Sequence, residues 1–132
     1  MDQPHASLDG IELTEGLRRV GGREALYRSL LRLYVTHCGD TCIRVREALG
    51  AGDPRTAERL VHSLKGSSGQ VAALGIEATA HDIEQRLRGG GTLAELEPRL
   101  AQLERELRAV IGGVDVLLRD PRGILGTLQP ST

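Results

Sequence analysis

From Arg23 to Gly50 the apolar positions Tyr27, Leu31, Tyr34, Cys38, Cys42, Val45 and Leu49 recur every three or four residues, the spacing that lines one face of an α-helix. The pattern predicts one long helix over 23–50, with Gly39 softening its middle. Gly50, Gly52, Asp53 and Pro54 then supply a stop, a turn, a cap and a first-turn proline, so a second helix is expected over 54–73 after a tight connection. A third over 76–88 carries Ile76, Ala80, Ile83 and Leu87, and Gly89, Gly90 and Gly91 break the chain behind it. Leu96, Leu100, Leu103, Leu107, Val110, Val114 and Leu117 follow at spacings of 4, 3, 4, 3, 4 and 3, a heptad seam. Because an interior proline costs about 3 kcal/mol, Pro98 places the start of that last continuous helix near Glu97, with its end near 118. Upstream, Asp9 as an N-cap with Glu12 three residues on predicts a short helix ending at Val20, where Gly21 and Gly22 stop it. The sum is an all-α fold over residues 8–118: an antiparallel four-helix bundle with a short additional N-terminal helix. Residues 1–7, polar and containing Pro4, read as a flexible N-terminus. Residues 119–132, with Pro121, Gly123, Gly126 and Pro130, read as a C-terminal tail.

Composition narrows the picture. At 132 residues the chain holds one domain, which leaves no room for a nucleotide-binding kinase domain beside the bundle. Leu outnumbers Val plus Ile by 21 to 14, which favours helices over strands. A formal net charge of -1 exerts no pull toward nucleic acid or anionic lipid. The only aromatics are Tyr27 and Tyr34, too few for the stacking platforms that hold single-stranded nucleic acid. The partner is therefore expected to be another protein. The segment Met1 to Gly10 lacks the charged-then-apolar layout of a signal peptide, and no apolar run is long enough to span a bilayer. A cytoplasmic chain without direct membrane contact is expected. Cys38 and Cys42 lie four apart on one expected helical stripe, where two thiols pack into the core and a bridge would strain the helix. With only His37 nearby, no metal site is expected.

On a wheel of about 100° per residue, Ala57, Leu60, Val61, Leu64, Ser68 and Val71 of the 54–73 helix fall within roughly 50° of one direction, while His62 lies about 150° away. His62 is thus expected on the water side. A surface histidine of no consequence is the plain alternative, and its neighbours argue against it. Lys65 and Gly66 follow one turn later, Gly69 two turns later, and Glu58 and Arg59 lie one turn before. Glycine in an exposed helix interior costs about 1 kcal/mol relative to Ala, so Gly66 and Gly69 imply that another molecule's surface must come close. An imidazole is a nucleophile with a large neutral fraction at pH 7, and an ammonium one turn away can balance a phosphoryl group placed on it. Phosphoryl transfer needs in-line access and charge stabilisation above all.

The run His62-Ser63-Leu64-Lys65-Gly66-Ser67-Ser68 resembles the His-x-Leu-Lys-Gly pattern of histidine-containing phosphotransfer (HPt) domains, relays of two-component signalling. The turn at 52–54, Ile83-Glu84, Arg86 and the glycines at 89–91 are also similar to that family, so the resemblance covers residues 8–118. It implies that His62 accepts a phosphoryl group from an aspartyl phosphate in a receiver domain and passes it to an aspartate in another. The receiver supplies Mg²⁺, and no cofactor belongs to this chain. Lys65 and Gly66 match the charge-balancing and clearance positions. Glu84 matches the position whose side chain hydrogen-bonds the other imidazole nitrogen, and its place beside the buried stripe of the 76–88 helix lets it reach His62 across a hairpin. The partner face is expected to comprise Glu58, Arg59, Lys65, Gly66 and Gly69, with Lys65 and Arg59 balancing charge. One departure stands out: the family usually has glycine ten residues after the histidine, where this chain has Ala72.

His5, His37 and His81 carry no comparable surroundings. No Ser-His-Asp or Cys-His pairing and no phosphate-cradling glycine loop can be read. Two other readings remain at this stage: a non-phosphorylated helical adaptor that binds a partner through the His62 face, and a module that dimerises through the heptad seam. A monomer with no autokinase activity is the expectation, either free-standing or a domain of a sensor kinase.

Overall fold

The computed structural model describes residues 7–8 and 10–128. Two two-residue strands, β1 (Ser7–Leu8) and β2 (Ile11–Glu12), pair antiparallel. Among the described residues seven helices follow: α1 Leu13–Arg19, α2 Glu24–Cys38, α3 Thr41–Gly50, α4 Pro54–Gln70, α5 Leu74–Arg88, α6 Leu93–Arg119 and α7 Gly123–Leu128. Four antiparallel arms form the bundle. The first is α2 continued by α3, and α4, α5 and α6 are the others; the α4–α5 hairpin is its most extensive contact.

The apolar stripe predicted for 23–50 faces the core, with Tyr27, Leu31, Tyr34, Cys38, Cys42 and Val45 buried and Leu49 packed against them. The single helix expected there is, however, two. Gly39 and Asp40 interrupt it, Asp40 lying at φ -104° and ψ 10°, because glycine carries a helix penalty and aspartate favours helix ends over interiors. Cys38 and Cys42 are both free and buried, and burial pushes each thiol up to about 11. The seven seam residues of α6 are all buried within this one chain.

Helix α6 begins at Leu93, earlier than the expected Glu97. Thr92 and Glu95 form a capping box, with Glu95 N–H donating to Thr92 Oγ1 (3.2 Å) and Thr92 N–H to Glu95 Oε1 (2.8 Å). Pro98 sits in the second turn. Its missing N–H leaves the carbonyl of Ala94 without its helical donor, and Ala94 and Pro98 are both exposed, so water can serve there.

The N-terminal helix starts at Leu13 instead of Asp9, which lies outside the described residues. Gly10 at φ +85° turns the chain, Ile11 is fully buried, and Glu12 N–H donates to the Ala72 carbonyl (2.9 Å). The ladder thereby closes over the α4–α5 turn. The stretch read as a tail from 119 also holds structure: α7 buries Ile124, and the Glu24 carboxylate accepts from the N–H groups of Ile124 and Leu125 (both 3.0 Å). The sequence pattern is weak there because six residues bury one side chain. Among the described residues no helix is long and apolar enough to cross a membrane.

Candidate functional site

Helix α4 is fixed at both ends. Asp53 caps its start, accepting from Thr56 N–H (3.1 Å) and Thr56 Oγ1 (2.6 Å), with Pro54 in the first turn. Its end comes at Gln70, not 73, because Ala72 takes a left-handed φ of 64° and Ala73 N–H reaches back to the Ser68 carbonyl (2.8 Å), a Schellman-type closure. Both tyrosines of α2 hold this end: Tyr27 OH donates to the Val71 carbonyl (2.7 Å) and Tyr34 OH lies 2.8 Å from Ser68 Oγ. The core side of α4 is Ala57, Val61, Leu64 and Ser68, with Leu60 half-buried. His62 emerges opposite, its side chain 63% exposed.

Across the hairpin, Glu84 of α5 is fully buried. Its Oε2 lies 2.6 Å from His62 Nδ1, and its Oε1 accepts from Lys65 Nζ (2.6 Å). Arg88, one turn further along α5, donates from Nη2 to Glu84 Oε2 (3.0 Å) and from Nε to Glu58 Oε2 (2.8 Å). Burial opposes ionisation of Glu84, but the hydrogen bonds from Lys65 and His62, with the charges of Lys65 and Arg88, outweigh it and hold its carboxyl below the ordinary range. An ionised carboxylate can only accept, so Nδ1 carries the hydrogen and donates it. In the neutral form of the ring the lone pair then belongs to Nε2, the nitrogen not tied to Glu84.

Glu58, Arg59, His62, Ser63, Glu84 and Arg88 line a shallow depression at this ring. Gly66 is open: a Cβ there would meet nothing within 4 Å. Gly69, expected to clear the same face, does not; a Cβ there would come 2.7 Å from Glu77 Oε2, and Arg19 donates to its carbonyl. Its missing side chain makes room for this chain's own Glu77. Arg59 donates to Thr56 Oγ1 (2.9 Å) and forms no ion pair with Glu84. Glu58, expected to face a partner, is engaged by Arg88. Arg88 is a site residue that the sequence pattern does not reveal. Its only signal was a Glu84-to-Arg88 spacing of four on one helix, an arrangement common on solvated faces. His37 and His81 are exposed on α2 and α5, and His5 lies outside the described residues. Among the described residues no group of three or more His, Cys, Asp or Glu side chains could hold a metal ion.

A family model described as the Hpt domain matches residues 29–113. The chain belongs to the Hpt domain family. Hpt domains carry out histidine phosphotransfer in phosphorelays, working with receiver domains. This Hpt domain is 30% identical over 123 residues to the signal transduction histidine-protein kinase BarA of Shigella flexneri and to that of Escherichia coli strain K12. The match takes in 93% of this chain and 12% of each kinase, so the chain spans about an eighth of the length of those relatives. In three dimensions it is similar to the HPT domain of a Shewanella Hpt sensor hybrid histidine kinase, with a TM-score of 0.75, 23% identity, and coverage of 85% of this chain and 96% of that one. That likeness shows a shared fold.

Proposed function

We propose that His62 is the phosphoacceptor of this Hpt domain. The observation that supports the reading is the imidazole itself, with Nδ1 tied to a buried, ionised Glu84 and Nε2 left untied, on an exposed side chain of a helix capped at both ends. Nε2 attacks the phosphorus of a receiver's aspartyl phosphate in line. The new N–P bond forms as the P–O bond to the aspartate breaks, and the aspartate leaves as a carboxylate. The ring gains positive character in this step, which the Nδ1–H to Glu84 hydrogen bond stabilises. Lys65, half-buried beside the ring, balances the transferred charge, and Gly66 gives the receiver backbone room to approach. The reverse step delivers the group to a second receiver. The receiver supplies the Mg²⁺ in both directions, and this chain acts as a monomer in the cytoplasm, without nucleic acid.

Incubation with a phosphorylated receiver domain should add one acid-labile, base-stable phosphoryl group, located at His62 by mass spectrometry. His62→Gln should abolish it, and ATP alone should add nothing. Label retained by His62→Gln would overturn the assignment. Receiver binding that survives His62→Ala, with no label on the native chain, would leave an adaptor role in its place.

A further inference from the structure

A carboxylate held against an imidazole ordinarily favours the imidazolium, and an imidazolium has no lone pair with which to attack phosphorus. Glu84, fully buried and 2.6 Å from His62 Nδ1, would by itself make His62 a poorer nucleophile at neutral pH. The structure surrounds it with an answer. The charged groups that line or border the depression are Glu58, Arg59 and Lys65 from α4 and Glu84 and Arg88 from α5: two carboxylates and three cations. Helix α3, packed along the other flank of α4, contributes no residue to the lining. Lys65 occupies Oε1 of Glu84, while Arg88 shares Oε2 with His62 Nδ1. Arg88 is in turn anchored by Glu58, one turn before His62 on α4. Glu58, Arg88, Glu84 and His62 thus form a chain of contacts across the hairpin.

We propose that Arg88 is a positioning residue that acts through Glu84, drawing off enough of the carboxylate's charge to keep His62 neutral and its Nε2 available at physiological pH. Arg88 needs no contact with the phosphoryl group for this. A carboxylate with one oxygen on Lys65 and the other divided between Arg88 and His62 orients the ring without converting it to a cation. The proposal rests on His62 as phosphoacceptor, yet its central measurement involves no phosphoryl group.

The ¹⁵N and ¹H signals of the His62 ring in the full chain are to be followed by NMR as pH is varied, for the native protein, Arg88→Met and Arg88→Lys. Loss of the cation in Arg88→Met should raise the His62 titration midpoint by about half a pH unit, a modest shift because the guanidinium is partly solvent-screened. Arg88→Lys, which keeps the charge, should stay close to the native midpoint. Labelling by phosphoramidate, a small donor with no docking surface, should show the same displacement in its rate-against-pH profile, so that Arg88→Met approaches the native rate again as pH rises. Circular dichroism checks the fold, and Arg88→Gln substitutes if the Met variant is poorly folded. An unmoved midpoint in a folded variant would overturn the proposal, as would a rate loss equal at every pH, which would place Arg88 directly on the phosphoryl group. Absence of label on the native chain would instead count against His62 as acceptor and leave the titration result standing.

Discussion

Glu84 concentrates the energetic risk of the site in one side chain. A carboxylate with no exposure is tolerated because His62, Lys65 and Arg88 all point at it. Glu84→Ala leaves three partners that can turn to water, so we expect a loss of about 2 kcal/mol in urea unfolding at pH 7, not a collapse. The pH dependence has a definite sign. A carboxyl held below its ordinary 4.5 contributes stability that is present above that value and is lost as pH falls through the lower folded-state value. The native chain should therefore weaken on acidification below about pH 4.5, and Glu84→Ala should flatten that limb; equal acid sensitivity in both would contradict it. His62 and Lys65 were legible in the sequence because helical spacing alone sets their face. Glu84 was legible because it borders a buried stripe. Arg88 was not, since a long cation reaches two acceptors through rotamer choices that periodicity does not encode, and neither was the packing of Glu77 over Gly69.

At the level of elements, the turn between α4 and α5 decides how the two halves of the site meet. Ala72 holds a positive φ while fully buried, at the position where the family usually has glycine. Left-handed backbone costs alanine about 1 kcal/mol, and its buried methyl returns a comparable amount. Ala72→Gly should accordingly stay within about 0.5 kcal/mol of the native stability, whereas Ala72→Val, branched and oversized at that φ, should cost about 2–3 kcal/mol. Thermal melts would measure both, and a harmless valine would refute the strain argument. Helix existence and inward faces were readable throughout, because buried stripes repeat over many residues. The boundaries were less so. The break at Gly39 leaves the stripe's phase intact and so hides from a periodicity reading, and the capping box at Thr92 outweighs a proline whose freed carbonyl faces water.

On the scale of the whole molecule, α7 ties the last described residues to α2. Its first amides depend on one carboxylate, so Glu24→Ala should accelerate hydrogen exchange at Ile124 and Leu125 while amides in α4 and α5 remain protected; uniform acceleration would mean that α7 is integral to the bundle's cooperative unit. The heptad seam, which from sequence could have served a second copy, is consumed inside this chain. Because His62 rides the middle of a helix secured at both ends and faces outward, a group arriving on its ring breaks no packed contact. If His62 is the acceptor proposed above, the added charge itself, and no repacking of the described helices, is what a downstream protein would have to sense.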